Sequence, residues 1–294
     1  MSSGADRSVL ALLKRRVTRI VENRIRISPG LTGKLQPLTN EGSFVLRSGG
    51  AEPDCVPPPE LWENYAADAG AYLADGREDV ETMLRILAGH HGPPLDRVLD
   101  LGCSAGRLLR HLPRRDQAEY WGVDVSAPHI EWCQRHLPGA NFATTTTAPH
   151  LPFEDGYFDL VYAWSVFTHI SDLADAWLLE VRRILKPGGC AYLTVHDLKS
   201  YELVLTEYAD DPLIRGFARA VAQFEQSHRL KGAAVDAFSF GADPESQVFY
   251  DPRYLIDKWG RWLDVLAFLP QAYNYQSVLL LQKRRDGVTS PVQP

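Results

Sequence analysis

The stretch "VLDLGCSAGRLL" (98–109) is an apolar run that ends in a glycine-rich turn and resumes with apolar residues at helical spacing. Its middle, Gly102-Cys103-Ser104-Ala105-Gly106, spells G-x-S-x-G, the pattern around the nucleophilic serine of many hydrolases. A strand ending in a tight glycine turn is also the device that cradles nucleotides, so the surroundings must separate the two. Upstream of residue 98 the pattern is helical, as in "REDVETMLRILAGH" (77–90), whereas a hydrolase elbow follows several strands and an oxyanion loop. "HHGPP" (90–94) has some likeness to such a loop, but its two prolines lack the backbone donors the loop must supply.

From residue 98 onward, short β-rich runs alternate with helical patterns. "RVLDLG" (97–102) leads into a helix over "RLLRHL", and "YWGVDV" (120–125) leads into "APHIEWCQRHL". "NFATTT" (141–146) follows, then "FDLVYAWSV" (158–166) with the helix "LADAWLLEVRRIL", and "CAYLTVH" (190–196) after Lys186-Pro187-Gly188-Gly189. Such alternation predicts parallel βαβ units and a doubly wound α/β sheet, with the ligand crevice at the carboxyl ends of the strands. "WLDVLAFL" (262–269) and "SVLLLQK" (277–283), separated by a polar segment with Asn274, predict a closing hairpin.

The 294 residues suit one large domain with appendages. We divide them into residues 1–60, a catalytic domain over 61–284 and a tail over 285–294. Residues 8–27 form a basic amphipathic pattern, with Leu10, Leu13, Val17, Ile20 and Val21 at helical spacing among lysine and arginine. Packing on the domain or in a homodimer, or docking on a membrane surface, would each use it. A Pro/Gly/Ser-rich linker (28–60) follows. Residues 198–257 are too long for a simple crossover and read as a substrate lid, with a helix in "PLIRGFARAVAQFEQSHRL" and a loop in "GAAVDAFSFGADPESQ".

A net charge of −6 provides no field to recruit nucleic acid. The four cysteines lack C-x-x-C spacing and read as reduced core residues. With neither an apolar run of membrane-spanning length nor a signal-peptide core, a cytoplasmic location is expected.

A dinucleotide-binding turn wants G-x-G-x-x-G, and here Ser104 and Arg107 replace the second and third glycines, so the close approach to a pyrophosphate is lost. What remains is Asp100 before the turn, Gly102 and Gly106 in it, and Asp124 ending the next strand, where an acid can accept from both ribose hydroxyls. The site wants a nucleoside without a pyrophosphate.

"VLDLGCSAG", "GVDVS", "LPFEDGYFDLVYAWSVFTHI" and "EVRRILKPGGCAYLTVHD" together resemble a class I S-adenosylmethionine-dependent methyltransferase. The resemblance implies a Rossmann-like, seven-stranded, mostly parallel sheet with an antiparallel C-terminal hairpin, S-adenosyl-L-methionine as cofactor and S-adenosyl-L-homocysteine as product. Carried over by position, Asp100, Gly102, Ser104 and Gly106 line the amino-acid moiety, Asp124 holds the ribose and Val125 packs on adenine. Thr147 and Ala148 stand where the family commonly places an acid for the adenine amino group. "SVFTHISD" and "YDPRYLIDKWGRWLDVLAFLP" are further similar to methyltransferases found alongside glycosyltransferases in bacterial glycan and natural-product pathways, which implies a hydroxyl of a sugar or glycosylated small molecule as acceptor. Transfer to nitrogen or carbon, or a cofactor-binding member that transfers nothing, are the alternatives.

An alcohol acceptor must lose a proton as the bond to carbon forms, and histidine has the pKa for this near neutrality. His169, after the fourth strand, and His196, ending the fifth, are the candidate catalytic bases, with His169 preferred. Trp164 reads as a wall of the cofactor pocket or as core, and no cluster has metal-ligand spacing, so no metal is expected.

Overall fold

β1 (Arg97–Leu101), β2 (Glu119–Asp124), β3 (Asn141–Thr144), β4 (Phe158–Ala163) and β5 (Leu185–Asp197) form a parallel sheet of order β3-β2-β1-β4-β5. This is a computed structural model, and it describes residues 55–90, 95–241 and 246–285. β1, β4 and β5 are buried almost throughout, which is why they read as nearly continuous apolar runs. Four further strands follow in the chain: β6 (Ala237–Phe240), β7 (Gln247–Tyr250), β8 (Asp264–Tyr273) and β9 (Gln276–Gln282). β9 inserts antiparallel beside β5, from Cys190–Gln282 to Val195–Ser277, and β8 closes that edge through a tight turn at Asn274 (φ 49°). The fold is therefore the expected Rossmann-like α/β arrangement, mostly parallel with an antiparallel C-terminal pair, and the insertion adds β6 and β7 to make nine strands.

Helices cover both faces. α1 (Ala69–His90) buries Tyr72, Gly76, Val80, Met83 and Leu87, a stripe at three- and four-residue spacing, and α2 (Ala127–His136) packs beside β2 and β3. α3 (Ala174–Ile184) buries Trp177, Leu178, Val181 and Ile184 on the opposite layer, together with residues of α6 (Pro252–Trp259). Between β5 and β7 lie α4 (Leu198–Leu205) and α5 (Arg215–His228). Asp197 caps α4 by accepting from Ser200 N at 2.6 Å while Ser200 Oγ accepts from Asp197 N at 3.0 Å.

Two expectations need correction. "RLLRHL" forms no α-helix: Ser104 (φ 48°) and Gly106 (φ 70°) turn left-handed, and one 3-10 turn, Leu109–His111, fits before Pro113. The stretch expected as a loop after α5 carries β6, which pairs antiparallel with β7, while β7 pairs parallel with β5 at His196–Phe249 and Asp197–Tyr250. The insertion thus has its own core, with Tyr201, Val204, Ala218, Val221 and Phe249 at its centre. The basic pattern over 8–27, the linker up to residue 54 and the tail beyond residue 285 lie outside the described residues. Among the described residues no helix is long and apolar enough to cross a membrane.

Candidate active site

β1 and β2 end side by side, and the turn after β1 folds over them: the Gly102 and Cys103 N–H groups both donate to Val123 O, at 2.8 and 3.0 Å. Gly102 has φ 79°, and a Cβ there would lie 2.4 Å from Val166 Cγ2, so only glycine serves. The Ser104 N–H donates to Asp124 Oδ2 at 2.8 Å, and the Ser126 N–H donates to Asp124 Oδ1 at 2.7 Å. Two backbone amides thereby fix the carboxylate at the end of β2 through charge-assisted bonds. The Ser104 hydroxyl hydrogen-bonds no histidine or carboxylate among the described residues, so the turn has the elbow's shape without its base.

The strand ends open into a cavity of about 830 Å³. Of the residues singled out in the sequence, Gly102, Ser104, Asp124, Val125, Thr147, Ala148, Trp164 and His169 line it. Asp100 and Gly106 stand behind its wall instead. Asp100 is buried, its Oδ1 has no hydrogen-bond partner among the described residues, and burial pushes its carboxyl up to about 8, with Tyr162 opposing the rise, Asp124 adding to it and Arg107 opposing it. Gly106 docks the turn on the end of α2, where a Cβ would come 2.3 Å from Leu137 Cδ1.

The far wall is tied to α3. Thr145 N–H donates to Asp124 O at 2.8 Å, and Trp177 Nε1–H donates to Thr147 O at 3.3 Å. The following "LPF" segment is pinned by Glu180, which accepts from Leu151 N–H at 2.6 Å, and by Arg183, which donates to Leu151 O and Phe153 O at 3.0 and 2.7 Å.

The two histidines part company. His169 Nδ1–H donates to Ser246 O at 2.9 Å, and the Ser246 hydroxyl donates back to His169 O, so the ring is anchored on the cavity wall. A carbonyl oxygen only accepts, so in this contact Nδ1 carries the proton; the Gln247 side-chain amide also approaches Nδ1, at 3.2 Å. His196 does not open on the cavity. β5 runs on to pair with β7, and this buries the His196 ring beside Phe249, Phe217 and Tyr275, with centroids at 5.0, 5.4 and 5.5 Å. Burial, reinforced by His169, drives its pKa well below the ordinary histidine value, and of the two expected bases the structure places His169 and not His196 on the cavity wall.

Residues the sequence reading did not single out complete the wall: Glu63, Asn64 and Tyr65 before α1, His129 on α2, and Ser165 after β4. Glu63 and Asn64 have φ 52° and 61°, and the turn they make presents Tyr65 to Arg107, whose guanidinium lies 4.5 Å from the Tyr65 ring centroid. Arg107 is itself held by Asp79 at 2.7 Å. An asparagine in "LWENYA", before an amphipathic run, was the available signal for that turn.

A turn that requires glycine at position 102, a carboxylate with both oxygens oriented by backbone donors, and an apolar flank at Leu101 and Val125 suit a nucleoside. The described residues hold no group of three or more histidine, cysteine or acidic side chains placed to bind a metal. Fold and site together define a nucleoside-binding enzyme of the Rossmann-like class.

A family model described as a methyltransferase domain matches residues 98–189. The chain is similar to the ubiquinone biosynthesis O-methyltransferase of Brucella ovis, 30% identical over 178 residues that cover 58% of this chain and 68% of that protein. It is also similar to phthiotriol/phenolphthiotriol dimycocerosates methyltransferase 1 of Mycobacterium ulcerans, 39% identical over 109 residues, or 35% of this chain and 38% of that one. In fold it resembles the crystal structure of the PH0226 protein from Pyrococcus horikoshii OT3, with TM-score 0.52 and 20% identity over 77% of this chain and 96% of that one. The chain belongs to the S-adenosylmethionine-dependent methyltransferases, and S-adenosylmethionine is its cofactor.

Proposed function

We propose that this methyltransferase acts on a hydroxyl oxygen of a small molecule, a sugar or another hydroxylated or glycosylated metabolite. One observation carries the reading: His169, its ring held by Ser246 O, stands on the wall of the same cavity as Asp124 and Gly102. An oxygen acceptor needs a base within hydrogen-bond reach, and His169 Nε2 is the atom suited to take the proton. The relatives named as O-methyltransferases support oxygen as the methylated atom.

S-adenosylmethionine supplies, when bound, a methyl group on a sulfonium sulfur. The chain's own residues then bind and orient. Asp124 would accept from the ribose hydroxyls, its carboxylate being oriented by the two backbone donors. Gly102 and Ser104 receive the amino-acid end, with the Asp100 carboxyl behind them. Val125 would hold the adenine, with the Thr147–Ala148 segment beside it on the same cavity wall. Trp164, with its ring edge against Tyr273, walls the reacting end and excludes water. His169 holds the acceptor hydroxyl and takes its proton.

Mass spectrometry of a reaction with hydroxylated acceptors tests the reading. A methyl increment on oxygen, with S-adenosylhomocysteine released, is expected. Methylation at nitrogen or carbon, or binding of the cofactor without transfer to any acceptor, would overturn it.

A further inference from the structure

Beside the main cavity lies a second chamber of about 330 Å³, and the two share the consecutive residues Ser171 and Asp172 as a common sill. The sill is two residues beyond His169 and just before α3. The rest of the chamber comes largely from the insertion, with Phe238 and Ser239 on β6, Tyr250 on β7 and Tyr254 on α6.

Its chemistry differs from that of the main cavity. Ser171 is half-buried and Asp172 and Ser239 are exposed, and none of the three makes a side-chain hydrogen bond or ion pair among the described residues. They present donors and acceptors toward space. Lys258 does not compete for them: its Nζ is held by Asp175 Oδ2 at 2.7 Å and by Tyr254 Oη at 2.6 Å. That internal pair cancels one charge of each sign, and the uncompensated charge is the negative one of Asp172, which repels phosphates and carboxylates. Phe238 and Tyr254, both half-buried, add some aromatic surface, while Tyr250 is buried behind them. Polar groups open to solvent beside partly buried aromatic rings suit a small group with many hydroxyls and no negative charge.

We propose that this chamber is a subsite for an uncharged polyhydroxylated ring, a sugar unit of the acceptor, whose remainder crosses the Ser171–Asp172 sill toward His169. The proposal rests on the reading of the main cavity as the acceptor site. It gives the insertion a task beyond covering the crevice: β6, β7 and α6 build the pocket that selects the acceptor's polar end.

Saturation-transfer NMR on the full chain loaded with S-adenosylhomocysteine tests it, with the methyl glycosides of several neutral hexoses as probes. Transfer to the ring protons of at least one glycoside is expected. It should be lost in Ala237→Trp, which fills the chamber, and weakened in Asp172→Asn, which keeps the shape and removes the charge. Ala237 does not line the main cavity, so S-adenosylhomocysteine affinity by calorimetry should be unchanged in Ala237→Trp. If that variant does not fold, Ser239→Val removes one of the partnerless hydroxyls and should weaken the transfer. No transfer from any glycoside, or transfer that survives both the chamber-filling and the polar substitutions, overturns the subsite. Because the readout is binding, absence of methyl transfer to every acceptor would sink the oxygen-methylation reading while leaving the subsite standing.

Discussion

The Ser104 N–H donates to Asp124 Oδ2 at 2.8 Å, so the glycine turn after β1 and the carboxylate ending β2 act as one unit. The carboxylate both shapes the turn and faces the cavity. Asp124→Ala should therefore weaken S-adenosylhomocysteine binding by more than one lost contact. A hydrogen bond to a charged group contributes roughly 1.5–3 kcal/mol, so a loss of about ten- to a hundredfold or more in affinity is expected by calorimetry. Asp124→Asn keeps the shape and a single acceptor oxygen, and should fall between. Unchanged affinity in Asp124→Ala would remove the ribose assignment.

Gly102 gives a sharper structural test. Its φ of 79° and the Val166 methyl 2.4 Å from any added Cβ mean that Gly102→Ala meets two separate penalties, backbone strain and overlap. Strain of this kind costs roughly 1–3 kcal/mol. Urea unfolding of Gly102→Ala should show that loss plus the overlap, and Val166→Ala in the same chain should recover only the second part. Complete recovery would show that the positive φ carries no cost here.

The central sheet was legible because buried parallel strands are short apolar runs, and the order of glycine turn and strand-end acid located the cavity. What escaped was set by tertiary context. His196 occupies a strand end, the position that normally faces a crevice, but β5 continues past the end of β4 and β7 covers it. β6 and β7 are four residues each, too short for alternation to stand out in a polar insertion. The Glu63–Tyr65 wall comes from a turn whose left-handed residues carry no glycine signature, and its partner Arg107 lies forty-odd positions away in the glycine turn. Asp100 and Gly106 belong to the motif by position, yet burial and packing against Leu137 put both behind the wall.

His169 should separate chemistry from binding. Removing a positioned base lowers the rate by about 10²–10⁴-fold, and the imidazole need not touch the nucleoside, so single-turnover rates for His169→Ala should fall by that factor with cofactor affinity intact. Its anchor, the bond to Ser246 O, also ties the site to the strand that builds the insertion. His169→Gln, which keeps a hydrogen-bonding side chain but no base, should be equally slow. A rate near wild type in both variants would mean that the proton leaves by another route, and the hydroxyl acceptor would lose its main support.

His196 should show the opposite behaviour. Its ring lies beside Phe217 and Phe249 with neither nitrogen hydrogen-bonded to a side chain among the described residues, and its pKa is held well below the usual histidine value by burial first and by the nearby His169 second. The neutral form is thus the one the fold accepts. Its share of stability is present above the unfolded pKa of about 6.5 and is lost as the pH falls below that, because the unfolded chain then takes up a proton the folded chain refuses. His196→Phe keeps the aromatic packing and removes the titrating group. Its melting temperature should match or exceed wild type at about pH 8, and the gap should widen in its favour from about pH 7 down to about pH 5. Turnover at the higher pH should stay near wild type, since the ring does not reach the cavity. Melting curves that track wild type in parallel across that range would contradict the buried neutral ring, and a collapse of turnover without loss of stability would return His196 to the chemistry.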